Sequence, residues 1–588
     1  MMRAGGERRR WAAMMLAGLG LAAAGCGGTA AGDGKLDEVA PPGKADGLYG
    51  ACEVAQVVAY ANDPASTVEQ MKADGVYTRA AENIATVRNG PDGLAGSDDD
   101  HHFADIAELD AVYYVGPKTM DRLVAACKHR CWAVPEAEVI FSPQPYGDSH
   151  LERVAALIDG ARRSIDVAMY SFRDHAILDA LARAVARGVQ VRFVFEKARD
   201  DRSEPDGGFS AELEQRGVDV RYINKIMHHK FAIIDGPVDS LDAAYSGTLI
   251  SGSGNWSYSA ATRYDENTVI ISGHGELLLR FQMEFNHVWA NSRDFVWEDF
   301  SQVMSKPIGE HLIVDDAWTE ALFTSANFDT YVSSRYGPTF SVVRGSNTVS
   351  DRLLELIAAA EQSIHIASGH LRSRPVAEAL MAKRAERPEM DIRVYLDNQE
   401  YISQWYDEQQ QLELLECLDE AGDSEAQTQD CYDKGYYFSY PLVAAGIAVR
   451  FKSYCYRWHY SYAAQMHHKV LLFDGRILAT GSYNLSDNAE HNTIENIVIY
   501  HGERFGDLVE RYEANFEQLW RTGRDADGYG ALLDEIENGS GPFPIVFEPM
   551  ALDWAELTAL KQAIREHCPD IDSDAYRQAP EDHTTCER

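Results

Sequence analysis

The feature that most constrains this chain is that it repeats itself. MHHKFAIIDG at Met227–Gly236 returns as MHHKVLLFDG at Met466–Gly475, and GSGNWS at Gly252–Ser257 returns as GSYNLS at Gly481–Ser486. A glutamate follows each Asn at the same spacing, Glu266 after Asn255 and Glu495 after Asn484. Upstream, RSIDVAMYSF (Arg163–Phe172) answers QSIHIASGHL (Gln362–Leu371), and downstream FNHVW (Phe285–Trp289) answers FEQLW (Phe516–Trp520). Two copies of domain length therefore have to fold alike and carry equivalent residues to equivalent places. Each copy alternates β-branched runs such as SIDVAMY and VQVRFVF with a stretch, HAILDALARAVARG, whose apolar residues recur at helical spacing. Gly188 ends that helix and the next strand starts at once, which makes the fold class α/β with parallel strands in the unit.

Side chains alternate along a strand, so His228 and Lys230 share one face while His229 points away, and His467, Lys469 and His468 behave alike. Two such strands brought together place two His and two Lys around one point, with Ser253, Asn255, Ser482 and Asn484 as hydrogen-bond donors. That set suits a phosphate. Lys and Asn hold its non-bridging oxygens, one imidazole attacks phosphorus, and the other protonates the leaving oxygen. Glu266 and Glu495 are available to fix the imidazole tautomers. The scheme calls for no metal and no cofactor. His229 and His468 read as packing or rim residues, and Asp235 and Asp474, each after an apolar strand, either hold a turn or join the chemistry.

HxKx4D followed by GSxNxS, present as His228/Lys230/Asp235 and again as His467/Lys469/Asp474, resembles the signature of the phospholipase D superfamily. The resemblance covers about residues 136–525. It implies two tandem α/β/α sandwich repeats with the active site at their interface, in a monomer that is an internal pseudo-dimer. It also implies a phosphodiesterase that hydrolyses or exchanges glycerophospholipid headgroups, with a phosphohistidine at His228 and His467 as acid and then base. In the superfamily the motif Asp is chiefly structural and the downstream Glu orients the histidine. The same residues serve a nuclease, or a phosphatidyltransferase of cardiolipin synthase type.

Charge bears on that choice. Lys and Arg number 54 against 92 Asp and Glu, a net −38 that repels nucleic acid at long range and leaves a phospholipid membrane surface as the expected partner. Arg3 and Arg8 to Arg10 precede WAAMMLAGLGLAAAG, an apolar run too short to span a bilayer and ordered like a secretory signal peptide. It ends in Ala23-Ala24-Gly25-Cys26, which resembles a bacterial lipobox and implies a lipid on Cys26, with ordinary signal-peptidase cleavage as the alternative. The next stretch, rich in Gly, Pro and charge, reads as a tether. The expected location is the outer or periplasmic face of a bacterial membrane, by lipid anchor, or else free secretion. Eight cysteines besides Cys26 point to disulfides in an exported chain, Cys417 with Cys431 and Cys568 with Cys586 among them.

Residues 103–127 read as two short helices around Val115-Gly116-Pro117 and resemble a helix-hairpin-helix motif. The second glycine of that motif is missing and Asp98 to Asp100 lie just upstream, so the segment reads as a helical cap or docking module. The aromatic run from Tyr432 to Tyr462 is either a packed loop stapled by Cys431 and Cys455 or a patch for a membrane interface, a quaternary ammonium or unpaired bases. The expected partition is signal peptide 1–25, tether 26–48, helical domain 49–135, first repeat 136–300, connecting segment 301–339, second repeat 340–525 and C-terminal segment 526–588.

Overall fold

SIDVAM and KFAII are buried at every residue, which only a strand in the middle of a covered sheet allows. The computed structural model describes residues 49, 51–95, 97, 99–127, 136–203, 207–238, 241–296, 318–335, 337–432 and 434–588. The expected signal peptide, tether and Cys26 lie outside the described residues, as do Asp98 and Cys131. The first repeat supplies β1 (Glu136–Ser142), β2 (Ser164–Met169), β3 (Gln190–Phe195), β4 (Asp219–Tyr222), β5 (Lys230–Ile234), β6 (Thr248–Gly252), β7 (Glu266–Ser272) and β8 (Arg293–Asp294). They form one sheet in the order β1-β7-β6-β5-β2-β3-β4-β8. The second sheet has β9 (Thr319–Phe323), β10 (Ser363–Ser368), β11 (Asp391–Asp397), β12 (Ala448–Cys455), β13 (Lys469–Phe473), β14 (Ile477–Gly481), β15 (Asn496–His501) and β16 (Val546–Asp553). Its order, β9-β15-β14-β13-β10-β11-β12-β16, repeats the first strand for strand. Only β2-β3-β4 and β10-β11-β12 pair in parallel; the neighbouring pairs are antiparallel, so each sheet is mixed.

Helices His150–Gly160 and His175–Ala186 cover one face of the first sheet, with Leu151, Ile158, Ile177 and Leu181 packed on Ile165, Val167 and Phe193. Thr348–Ala359 and Arg374–Glu386 do the same for the second, through Leu353, Ile357 and Leu380 on Ile364 and Ile366. The remaining faces share one core. Phe281, Phe285 and Trp289 of helix Gly275–Ala290 and Tyr512, Phe516 and Trp520 of helix Gly502–Trp520 pack with Phe231, Val269, Leu472 and Val498. The two repeats are thus joined by apolar surface, the strongest non-directional term available to them.

Two boundaries differ from the sequence reading. β9 falls in the expected connecting segment, and β16 in the expected C-terminal segment, yet both complete the second sheet. They are edge strands, placed by β15 and β12 rather than by a local pattern. After β16 a helix, Trp554–His567, starts with a capping box of Asp553 and Glu556, and Cys568–Cys586 closes the tail. The acidic insert folds as helices Gln404–Ala421 and Glu425–Tyr432, joined by Cys417–Cys431. Cys455 is therefore not stapled to Cys431; it is a buried free thiol in β12, and burial pushes its pKa up. Part of the aromatic run is core: Tyr436, Phe438, Tyr454 and Tyr456 are buried, whereas Tyr460 is exposed.

Five N-terminal helices, Ala51–Asn62, Val68–Ala73, Thr78–Arg88, Ile106–Asp110 and Pro117–Cys127, pack around Val57, Ile84, Leu109 and Leu123. The last two are the helices expected within 103–127, on either side of Val115-Gly116. Tyr245 of the first repeat donates to Glu53 of this module at 2.7 Å. Among the described residues, no helix is long and apolar enough to cross a membrane, and no cluster of His, Cys, Asp or Glu is suited to a metal.

Candidate active site

Each HHK heads a strand at the seam between the repeats. Ile226–Met227 pairs in parallel with Thr493–Ile494, and His228 N–H donates to Ile494 O at 3.0 Å. In the other half His467 N–H donates to Asp265 O at 3.0 Å. Each histidine is thus tied to the backbone immediately before the other repeat's glutamate. The side chains follow: His228 Nδ1 lies 2.7 and 2.8 Å from the two carboxylate oxygens of Glu495, and His467 Nδ1 lies 2.8 Å from Glu266 Oε1. The partners are exchanged, so neither dyad exists within one repeat. With Nδ1–H given to a carboxylate, Nε2 keeps the lone pair, as a nucleophile or base requires.

Lys230 Nζ donates to His228 O and Lys469 Nζ to His467 O, each at 2.7 Å. His228, Lys230, Glu266, Lys469 and Glu495 are buried and His467 is half-buried, and that sets their charges. Burial, then Lys230 and Lys469, hold His228 well below the usual imidazole range, and burial, then Lys469 and Lys230, do the same to His467; both are neutral at neutral pH. Burial lowers Lys230 to about 7 and Lys469 to about 8, and raises Glu266 and Glu495 to about 7. Asn255 and Asn484, half-buried, each leave Oδ1 buried without a protein partner.

Four site residues named from the sequence stand elsewhere in this arrangement. Ser253 and Ser482 are fully buried, and each hydroxyl supports a glutamate, Glu266 and Glu495, and accepts the N–H of Asn267 or Asn496, at 3.0 and 2.9 Å. They position the carboxylates. Asp235 and Asp474 sit beyond the far ends of β5 and β13, about 17 Å from the lysines at ~3.4 Å per strand residue. Their carboxylates accept backbone N–H groups of Arg162, Arg163 and Ser164, and of Glu361, Gln362 and Ser363. His229 and His468 lie behind the site. His229 Nε2 is 2.9 Å from Glu284, and His468 Nδ1 is 3.0 Å from Asn267 Nδ2.

Two pairs of positioning residues escaped the sequence reading. Glu196 and Asp397 accept the N–H of Met227 and Met466, at 2.6 and 2.8 Å, just before each catalytic-site histidine. Asn267 and Asn496 cross the seam to His468 and His229. The signal for the second pair was present, since Asn follows Glu in both repeats. Aligning VQVRFVFE with MDIRVYLD would have shown the first.

A family model described as cardiolipin synthase, PLD-like domain matches residues 154–289 and 353–520, more than half of the chain. The chain belongs to this family, within the phospholipase D superfamily. Mitochondrial cardiolipin hydrolase of Xenopus tropicalis is 30% identical over 149 residues, 25% of this chain and 64% of that protein. The human protein of that name is 31% identical over 171 residues, 28% of this chain and 62% of that one. The chain thus spans under two thirds of these relatives. Among solved structures, a phospholipase D family member, Nuc from Salmonella typhimurium, is 30% identical with a TM-score of 0.23, covering 27% of this chain and 97% of that one.

Proposed function

We propose that this protein hydrolyses or exchanges the headgroups of glycerophospholipids through a phosphohistidine at His228. The observation that carries the reading is the pair of exchanged His–Glu dyads facing two buried lysines. The family description and the relatives' names, cardiolipin synthase and cardiolipin hydrolase, support a phospholipid, and the net charge of −38 weighs against a polynucleotide. The lysines, with Asn255 and Asn484, hold the phosphate. A bound phosphodiester anion then raises the proton affinity of His467, whose Nε2 takes up a proton from solvent while Nδ1–H stays on Glu266. His228 Nε2 bonds to phosphorus, the P–O bond to the headgroup breaks, and the departing oxygen takes the proton from His467 Nε2. Water or an alcohol next attacks phosphorus, gives a proton to His467, and the P–N electron pair returns to His228.

The test is phosphatidylethanol formation from mixed phospholipid vesicles in dilute ethanol. Its appearance, with His228→Asn and His467→Asn each lowering turnover ~10^3-fold or more, is the expected result. No lipid product from a preparation active on a simple diester defeats the lipid reading and brings the nuclease forward.

A further inference from the structure

Two near-equivalent dyads do not by themselves distinguish water from an alcohol. The asymmetry lies one rung beyond the strands. β2 pairs with β5 as far as Met169 with Lys230, and β10 with β13 as far as Ser368 with Lys469. One more backbone bond extends each ladder, Tyr170 N–H to His229 O at 2.9 Å and Gly369 N–H to His468 O at 3.1 Å. Continued by one residue, that register would set Ser171 opposite His228 in the first repeat and His370 opposite His467 in the second. Tyr170 packs its ring 4.4 Å from that of His228. Its counterpart Gly369 admits no side chain, since a Cβ would lie 2.9 Å from Met466 O, so that position sets no ring on His467, which has only the more distant Tyr264, 6.4 Å between ring centroids.

His370 forms a further His–Glu dyad, outside both motifs. Its Nδ1 is 3.0 Å from Glu400 Oε1, and Glu400, 1% exposed, is pinned by Arg372 Nε and Nη2 at 3.0 and 2.7 Å and by Leu371 N–H at 3.2 Å. Among the described residues none binds Nε2, and the side chain is 26% exposed. It is close enough to both His228 and His467 for a positive charge on its ring to disfavour one on theirs.

We propose that His370, with Nδ1–H given to Glu400, holds the attacking water through Nε2 and so favours hydrolysis over transfer; this rests on the phosphohistidine reading above. In that step the water oxygen bonds to phosphorus, the P–N bond breaks with its electron pair returning to His228 Nε2, and one water proton passes to His467 Nε2. The second O–H stays on the product, and during attack His370 Nε2 accepts its hydrogen bond. An alcohol has no second O–H and gains nothing from that acceptor.

Wild type, His370→Ala and His370→Gln are each given phospholipid vesicles, and separately bis(p-nitrophenyl) phosphate, in dilute ethanol. The ratio of ethyl ester to hydrolysis product is read. Loss of one hydrogen bond to the water should raise the ratio roughly tenfold in His370→Ala, and Gln, whose Oε1 accepts the same bond, should restore most of the hydrolysis. An unchanged or lower ratio in His370→Ala overturns the proposal, as does a ratio in His370→Gln further from wild type than that of Ala. The simple diester keeps the two readings apart: ethanol partition on it without any lipid product leaves the water-holding role standing and removes the lipid reading. A wild type that turns over neither diester removes both.

Discussion

Lys230 and Lys469 grip a phosphate only while charged, and burial has brought both into the neutral range, to about 7 and about 8. A lysine with a lowered pKa loses its charge as pH rises through that value, so binding weakens above neutrality. His467 needs a second proton, on Nε2, to act as acid, and burial makes that proton scarcer as pH rises. On the acid side His228 stays neutral, but protonation of Glu495 below about 7 removes the acceptor for its Nδ1–H. These signs give kcat/KM a narrow bell centred near pH 7, since kcat/KM reports the groups of the free enzyme. The alkaline limb of kcat lies higher, because the bound anion raises both lysines. Initial rates from pH 5 to 10 on a simple diester measure this, and a kcat/KM flat from pH 6 to 9 contradicts the buried-lysine account.

At the scale of elements, the strand that carries HxK is held at both ends by different means. Its head is stitched to the other repeat. Its tail is held by Asp235, or by Asp474, each in left-handed backbone at φ 53° and 54° and each gathering three N–H groups from the segment that opens β2 or β10. Alanine there forfeits those bonds and tolerates the backbone poorly, so Asp235→Ala and Asp474→Ala should each lose about 2–3 kcal/mol of stability. The folded fraction should keep kcat within about threefold. Urea midpoints beside kcat decide it: a collapse of kcat at unchanged stability returns these residues to the chemistry. The same elements show how far the sequence reached. Repetition exposed both HxK strands, the downstream glutamates and the α/β alternation, because those signals are local and doubled. It could not reveal that Glu495 serves His228 and Glu266 serves His467, since that exchange arises only when the sheets meet. His370 and Glu400 escaped for a related reason: they have no counterpart in the first repeat, where Ser171 and Arg199 stand. β9 and β16 escaped because an edge strand takes its register from a partner far along the chain.

Over the whole molecule, a site that needs an anionic phosphate sits in a chain of net charge −38. The lysines act at contact distance in a dry pocket, whereas the surface acts at the Debye length, about 10 Å at 0.1 M salt. At long range an anionic vesicle and this protein repel each other, and added salt screens that repulsion while leaving the buried contacts nearly untouched. Hydrolysis of anionic vesicles by the purified chain should therefore rise with ionic strength, by several-fold between about 20 and 200 mM salt, while turnover of a small soluble diester changes little. A protein that reached its substrate through a basic surface would show the opposite slope, as polynucleotide binding does when counterions are released. The slope thus reads out how the protein approaches its substrate independently of the chemistry. A lipid on Cys26, as proposed from the sequence, would make that approach unnecessary: once anchored, the enzyme meets its bilayer at a concentration set by the tether, and the salt dependence should vanish in the lipidated form. Lipidated protein that keeps the full salt dependence of the soluble chain would show that its tether does not deliver the site to the membrane.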